Sequence, residues 1–187
     1  LYEAAEQLLR DQPQLERAEF YKVNVDYLSA TSWGAHESYL HRASQSLIQQ
    51  QIIPHLVSRI IYTGAGGFLP QATLRFSLSP RVGYLEATIS SESTTNRGIV
   101  HTRDEPLARR GSHRLHLLCG DSLCGSLGNW LKAATTALVI GMAEGGLRPA
   151  YEVLLASPLD AMRAFANDPS CGITVPLRDG RRVRALD

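Results

Sequence analysis

One segment constrains the fold of this chain more than any other. Residues Leu123–Met142 are apolar on nearly every side of a predicted helix, and a helix without a polar face has to be buried. We therefore expect this helix to lie under a sheet supplied by the rest of the chain. Gly145 and Gly146 follow it and predict its end. The longest apolar run, Trp130–Ala143, contains a lysine and falls short of the ~20 residues that a membrane span requires.

Alternation of apolar and polar residues predicts the strands of this sheet. The segments with a period of two are Phe20–Val25, Gly34–Leu40, Leu74–Ser79, Tyr84–Ser90 and His113–Cys119. Leu74–Ser79 and Tyr84–Ser90 each have one apolar and one polar face, which is typical of antiparallel sheets with one face packed on helices. In the last strand, Arg114 and His116 share one face.

Shorter elements flank the predicted sheet. Helical periodicity covers Leu1–Arg10, Asp160–Asn167 and Ala43–Ser58, the last with Pro54 predicted to kink or split it. Asp179-Gly180 predicts a hairpin turn near the end of the chain. The residues alone therefore predict one α+β domain.

Composition narrows the class of protein. A length of 187 residues suits one domain with a sizeable core, and the net charge of +1 gives no reason to expect nucleic acid as a partner. Short basic runs such as Arg109-Arg110 are more typical of solvated faces. The three cysteines form no CxxC pair, so they indicate neither a disulfide framework nor a zinc site. We expect a reducing, cytoplasmic setting, no membrane association and no signal peptide.

Three polar clusters are candidates for chemistry: Gly34–Leu40, His101–Pro106 and His113–His116. A cation that holds ATP phosphates prefers carboxylate oxygens and sometimes an imidazole, and arginine matches phosphate with its fork of donors. For each residue taken alone, a surface or hydrogen-bonded core role is the commoner one. Strand alternation places His36 and Glu37 on opposite faces unless a bulge intervenes. Asp104 and Glu105 are metal-ligand types, although capping a turn is the commoner role.

The glycine-rich turn Thr63–Gly67 lacks the spacing of known phosphate-binding loops, which favours a plain loop. Without further comparison the residues predict an α+β domain with a candidate anion or metal site.

An ordered series of motifs resembles the family of the Pup ligase (proteasome accessory factor A) and the depupylase, or deamidase of Pup. This family belongs to the carboxylate-amine ligase superfamily, together with glutamine synthetase. The matching segments run through most of the chain: Tyr21–Asp26, Ser32–Leu40, Gly64–Gly66, Thr102–Pro106, Arg114–His116, Gly120-Asp121 and Leu131-Lys132. Ser32–Leu40 is close to the family's S-Y-G-x-H-E-N-Y-L, and Thr102–Pro106 matches its N-T-R-D-E-P.

The resemblance implies a curved, mainly antiparallel sheet that forms a glutamine synthetase-like cradle, with ATP and Mg²⁺ on its concave face and helices on the other. Carried over residue by residue, it implies that Arg103 and Arg114 bind phosphate and that His36 contacts phosphate or metal. His116 would be a metal ligand, and Glu37 would be a metal ligand or support the site. The implied activity is ATP-dependent ligation of a Pup-like modifier, through its C-terminal glutamate, to lysines of substrate proteins. The alternatives are a depupylase or deamidase, and an inactive relative that binds a modifier or partner protein.

Departures from the family bear on activity. The family's N-terminal strand with metal-binding glutamates, the stretch with its catalytic aspartate and its C-terminal domain have no counterpart here. Ser38 and His101 each stand where the family has asparagine, and Leu107 where it has histidine. We therefore expect residues 1–187 to be part of one catalytic domain, to require further segments of the same enzyme, and to be inactive alone.

Overall fold

The computed structural model describes residues 2–19, 21–69, 74–102, 108, 111–148 and 152–187. The α-helices are α1 (Tyr2–Asp11), α2 (Gln45–Ser58), α3 (Ile60–Thr63), α4 (Ser126–Glu144) and α5 (Pro158–Ala166). The strands are β1 (Val25–Asp26), β2 (Thr31–Ser32), β3 (Glu37–His41), β4 (Gly67–Leu69), β5 (Arg75–Ser77), β6 (Ala87–Ser90), β7 (Gly98–His101), β8 (His113–Leu117), β9 (Val175–Pro176) and β10 (Arg182–Val183). A 3₁₀ helix covers Pro80–Tyr84.

The main sheet has four strands in the order β3-β8-β7-β6. β8 pairs antiparallel with both β3 and β7, and β6 pairs parallel with β7. The sheet is thus mainly antiparallel, and helices α2 and α4 contact it through β7 and β3. The predicted α+β architecture with helices behind a sheet is confirmed.

The core lies between this sheet and the helices. Ile52 and Leu56 of α2, Leu117 of β8 and Phe165 of α5 are all at most 3% exposed. Burying a side chain of this size contributes roughly 1.5–3 kcal/mol, so these contacts hold the helix layer against one face of the sheet. The other face of the sheet is left to carry polar residues.

The composition of helix α4 led us to expect that it is buried on all sides, but one of its faces is exposed. Lys132, Thr136 and Ile140 face the interior at intervals of four residues, whereas Trp130 is 65% and Leu138 is 68% exposed. The prediction was wrong because a segment that is apolar all round has no polar stripe to show which face lies outside.

Several other predictions can now be judged. α1, α5 and the β9–β10 hairpin are confirmed. Pro54 lies inside α2 without ending it, and the break comes instead at Arg59, before α3. The strand predicted at Phe20–Val25 is reduced to β1, and β5 pairs with β4 rather than with the main sheet. Among the described helices, none is long and apolar enough to cross a membrane.

Candidate functional site

A row of polar side chains crosses the main sheet. Ser38 pairs with His116, His116 with His101, and His101 with Ser90, one residue from each strand. Directly paired residues lie on the same face of a sheet. The row therefore defines a polar face, opposite the face that packs on the helices.

His36 adds a third imidazole to this face. It precedes β3, and its Nδ1 lies 3.1 Å from Nε2 of His116, so one of these nitrogens donates a hydrogen bond to the other. The ring centres of His36 and His116 are 5.0 Å apart, and those of His101 and His116 are 4.9 Å apart. His36 is exposed, whereas His101 and His116 keep only 3% and 5% of their surface. We call His36, His101 and His116 the histidine cluster.

Arginines surround the histidine cluster. Arg114 lies beside it on β8 and donates to Oγ of Ser38 from Nε at 3.1 Å and from Nη2 at 2.8 Å. Burial, and then the positive charge of Arg81 with smaller contributions from Arg97 and Arg114, lowers the pKa of His36. Its imidazole is therefore neutral near pH 7, as a metal ligand must be. The same positive charges make this region suited to an anion.

The structure brings together three of the predicted site residues, His36, Arg114 and His116. Arg103 lies outside the described residues, as do Asp104, Glu105 and Pro106, so their roles stay predictions. Thr102 is the last described residue before this gap, and its backbone N–H donates to Ser90 O at 2.9 Å.

Glu37 lies on the other face of the sheet. Its pairing with β8 runs without interruption from Glu37–Leu117 to His41–His113, so these two strands contain no bulge. Arg59 donates to both carboxylate oxygens, at 2.6 and 2.9 Å, and the Tyr39 hydroxyl donates at 2.7 Å. Burial alone would raise the pKa of Glu37, but the bonds and charge of Arg59 outweigh it and lower that pKa. A metal-binding role for Glu37 stays a prediction, and these contacts indicate a structural one.

The metal prediction rests on two imidazoles here. Within the described ranges, no group of three or more His, Cys, Asp or Glu side chains is placed to hold a metal ion. Nδ1 of His36 and Nε2 of His116 lie at the spacing of neighbouring ligands, but a metal would have to replace the hydrogen bond that joins them. Further ligands would have to come from outside this set.

The segment Gly120–Leu123, which follows β8, is held by residues of the family motifs. Nζ of Lys132 donates to Asp121 O at 2.7 Å, and Nζ of Lys22 donates to Leu123 O at 2.7 Å. Asn24 exchanges two hydrogen bonds with the backbone of Ser122, at 2.7 and 3.0 Å. These motif residues therefore fix a loop near the site.

Asp121 links this segment to the glycine-rich turn. Its carboxylate, whose pKa is raised by burial, accepts from the Ala65 N–H at 2.9 Å and the Ser79 hydroxyl at 2.8 Å. The Gly66 N–H donates to Leu78 O at 2.8 Å. Both N–H groups thus bind protein atoms, in agreement with a plain loop at Thr63–Gly67.

Two residues near the site, Arg59 and Arg81, were missed by sequence reasoning, and the role of a third, His101, was not foreseen. Arg59 did carry a signal, because it lies between Leu56 and Ile60 on the apolar stripe of α2 and α3, where a charge needs a buried partner. His101 began one of the three candidate clusters and was noted as a departure from the family, but it was assigned no role of its own. For Arg81, which is 4% exposed and donates to Gly120 O and Leu118 O, we find no signal in the sequence.

Comparisons with known proteins identify the family of this chain. The family model described as Pup-ligase protein matches residues 1–187. The chain is 39% identical over 195 residues to a Pup deamidase/depupylase of Mycobacterium tuberculosis, which covers 98% of this chain and 38% of the relative. It is 34% identical over 171 residues to a Pup–protein ligase of Sanguibacter keddieii, covering 89% of this chain and 37% of the relative.

Solved structures give the same result. The Pup ligase PafA in complex with ADP matches with a TM-score of 0.77 and 26% identity, over 98% of this chain and 42% of that one. The complex between Pup and PafA matches with a TM-score of 0.73 and 28% identity, over 99% of this chain and 37% of that one. The chain thus spans about two fifths of the length of these relatives. The resemblance seen in the motifs is confirmed, and the chain belongs to the Pup-ligase family.

Proposed function

We propose that this chain forms part of an ATP- and Mg²⁺-dependent enzyme that ligates a Pup-like modifier, through its C-terminal glutamate, to lysines of substrate proteins. The observation that carries the proposal is the polar face of the main sheet. There His36 and His116 lie 3.1 Å apart and Arg114 lies on the same strand as His116. Family membership supports the assignment, and a PafA structure contains ADP.

The reaction has two steps. The γ-carboxylate of the modifier's C-terminal glutamate attacks the γ-phosphorus of ATP, and ADP leaves. The lysine amine then attacks the acyl carbon, phosphate leaves, and the amine loses a proton as the isopeptide bond forms. In both steps negative charge moves between oxygens, so fixed positive groups around the phosphoryl group supply most of the acceleration.

The residues of the polar face fit these demands. Arg114 would bind a phosphate oxygen through the guanidinium nitrogens that now donate to Ser38. Arg103 is proposed as the second phosphate-binding arginine. His36 and His116 would hold Mg²⁺, which neutralises phosphate charge when bound. Glu37 would support the site from behind. The proposed domain extends beyond these residues, and the family's catalytic aspartate is expected outside this chain.

Hydrolysis of the same bond is the second candidate. Relatives from Mycobacterium tuberculosis and Mycolicibacterium smegmatis that are 39% and 37% identical are named Pup deamidase/depupylase. A depupylase would cleave the isopeptide, and a deamidase would convert a C-terminal glutamine of the modifier into glutamate. We propose a cytoplasmic setting for either activity.

The test uses the complete polypeptide that contains this chain, with ATP, Mg²⁺ and a Pup-like modifier. A modifier ending in glutamate, with a lysine-bearing acceptor, should give conjugate and ADP if the protein is a ligase. A modifier ending in glutamine, or a preformed conjugate, should give ammonia or free modifier if it is a hydrolase. If neither conjugation nor cleavage occurs in the presence of nucleotide while the modifier still binds, the protein is an inactive binding relative.

A further inference from the structure

An ion pair lies directly behind the polar face. Nη2 of Arg59 contacts Oε1 of Glu37 at 2.6 Å, and Nη1 contacts Oε2 at 2.9 Å. The side chains are 2% and 10% exposed. Nη1 also donates to the Thr136 hydroxyl at 2.6 Å and to Lys132 O at 3.3 Å. This one guanidinium therefore joins the end of α2, the middle of α4 and the first residue of β3.

Replacement by another cation would not keep these contacts. Guanidinium is a planar fork that matches both oxygens of a carboxylate, whereas the ammonium of lysine is a point charge on a flexible stem. A buried pair of this kind is weak evidence for stability, because desolvation offsets the attraction. Its best-attested use is to select one arrangement among several, which here would be the placement of β3 against α2 and α4.

The placement of β3 decides where His36 lies. His36 is bonded covalently to Glu37, and their side chains occupy opposite faces of the sheet. Glu37 is the first paired residue of β3, opposite Leu117, and His36 comes before the ladder begins. The ladder therefore leaves the His36 backbone without strand pairing, and the nearest fixed point is the side chain of Glu37.

A close backbone approach holds Glu37 from a second direction. A Cβ built on Gly120 would lie 2.4 Å from Oε1 of Glu37. A carbon and an oxygen that are not bonded to each other cannot lie so close, so an alanine at position 120 would displace the carboxylate of Glu37. Arg59 lies on the helix side of the Glu37 carboxylate, so the carboxylate cannot move in that direction. The displacement would therefore move the start of β3.

From these contacts we infer that the Arg59–Glu37 ion pair is the positioning element of the histidine cluster: it fixes the start of β3 from the helix side and so sets His36 against His116. Arg59 is a positioning residue, not a catalytic one, because it lies behind the sheet. Only the role of the positioned histidines in binding metal and phosphate rests on the proposed function. The position of His36 itself can be tested without nucleotide.

The test measures ring-to-ring contacts by NMR in the complete polypeptide that contains this chain, labelled at histidine and free of ligand. Arg59→Lys keeps the charge but loses the fork, and Gly120→Ala keeps both charged groups but displaces the carboxylate. Val57→Ala is the control, because Val57 is a fully buried apolar residue of α2 whose side chain has no group that could hydrogen-bond the pair. It loosens the core without removing a bond of the ion pair.

We expect Arg59→Lys and Gly120→Ala to reduce the cross-peaks between the His36 and His116 rings at least five-fold. The cross-peaks between His101 and His116, which lie on β7 and β8, should persist in the same samples. Val57→Ala should keep both sets. If Arg59→Lys does not fold, Gly120→Ala decides the matter.

The inference is overturned if the His36–His116 contact survives in the folded variants, or if Val57→Ala loses it equally. Neither result would bear on nucleotide binding by the polar face, which is tested separately through Arg114. Conversely, failure of nucleotide binding would leave the positioning result as it stands.

Discussion

His55 links the pH of the solution to the stability of the helix layer. Its Nε2 lies 3.0 Å from Oγ1 of Thr136 on α4. The Thr136 hydroxyl donates its only proton to Lys132 O at 2.9 Å, so His55 has to be the donor in this contact. The ring therefore lies between α2 and α4 with a proton on Nε2.

The size of the effect follows from the pKa. Burial, with a further contribution from the charge of Arg59, lowers the pKa of His55 from 6.5 to about 4. As the pH falls below 6.5, His55 is protonated in the unfolded chain, whereas in the folded chain it stays neutral until the pH approaches about 4. Folding stability therefore falls through this window, and the difference in pKa corresponds to about 3 kcal/mol.

The perturbation is His55→Leu, which removes the titrating group and keeps an apolar side chain. The free energy of unfolding is measured by urea denaturation at pH 7.5, 6.0, 5.0 and 4.0 for both proteins, with ordinary buffers at constant ionic strength. The wild type should lose about 3 kcal/mol more than the variant over this range. Parallel curves for the two proteins would refute a buried neutral His55. His36 is present in both proteins, so its own titration cancels.

Two further predictions concern the stability of the fold, one through a buried hydrogen bond and one through packing of α4. Tyr39→Phe removes the hydroxyl that donates to Glu37 at 2.7 Å and should cost about 1.5–3 kcal/mol; an unchanged urea midpoint would mean that the bond is not formed in solution. Ile140→Ala, at a position 4% exposed, should cost about 2–5 kcal/mol. Leu138→Ala, two residues away but 68% exposed, should change stability by less than ~0.5 kcal/mol, and equal losses at the two positions would show that the outer face of α4 is covered.

Much of the fold could be predicted because local patterns and tertiary structure agree. The alternation in His113–Cys119 placed Arg114 and His116 on one face, and their neighbours Leu115 and Leu117 do lie in the core. His36 was a candidate from its residue type and from the resemblance, but no local pattern connects it with β8. Its distance of 3.1 Å from His116 joins residues that are 80 positions apart in sequence.

Other features could not be predicted because they depend on long-range contacts. The Arg59–Glu37 pair joins a helix end to a strand 22 residues earlier, and nothing in either segment alone specifies the partner. The outer face of α4 is as apolar as the inner one, so only packing distinguishes them. The strand expected at Phe20–Val25 has the right residue types, but Lys22 and Asn24 instead bond the backbone at Leu123 and Ser122.

The polar face and the ion pair behind it make different demands on the sequence. Under the proposed function, the face needs groups that can bind phosphate and metal and that remain accessible; His36 is exposed and Arg114 is partly exposed. The pair behind it needs exclusion of water and two matched hydrogen bonds, as Arg59 and Glu37 show with side chains 2% and 10% exposed and contacts at 2.6 and 2.9 Å. The strand β3 serves both demands because its residues alternate between the two faces.

The most direct test of the central claim is the affinity for ADP in the presence of Mg²⁺, measured by calorimetry on the complete polypeptide that contains this chain. Arg114→Ala should weaken binding roughly 10- to 100-fold, because a charged hydrogen bond contributes about 1.5–3 kcal/mol. Arg184→Ala removes an exposed arginine paired with Asp187 and should leave the affinity unchanged. If Arg114→Ala binds ADP as tightly as the wild type, the polar face of this sheet does not hold the phosphates and the proposed site is wrong.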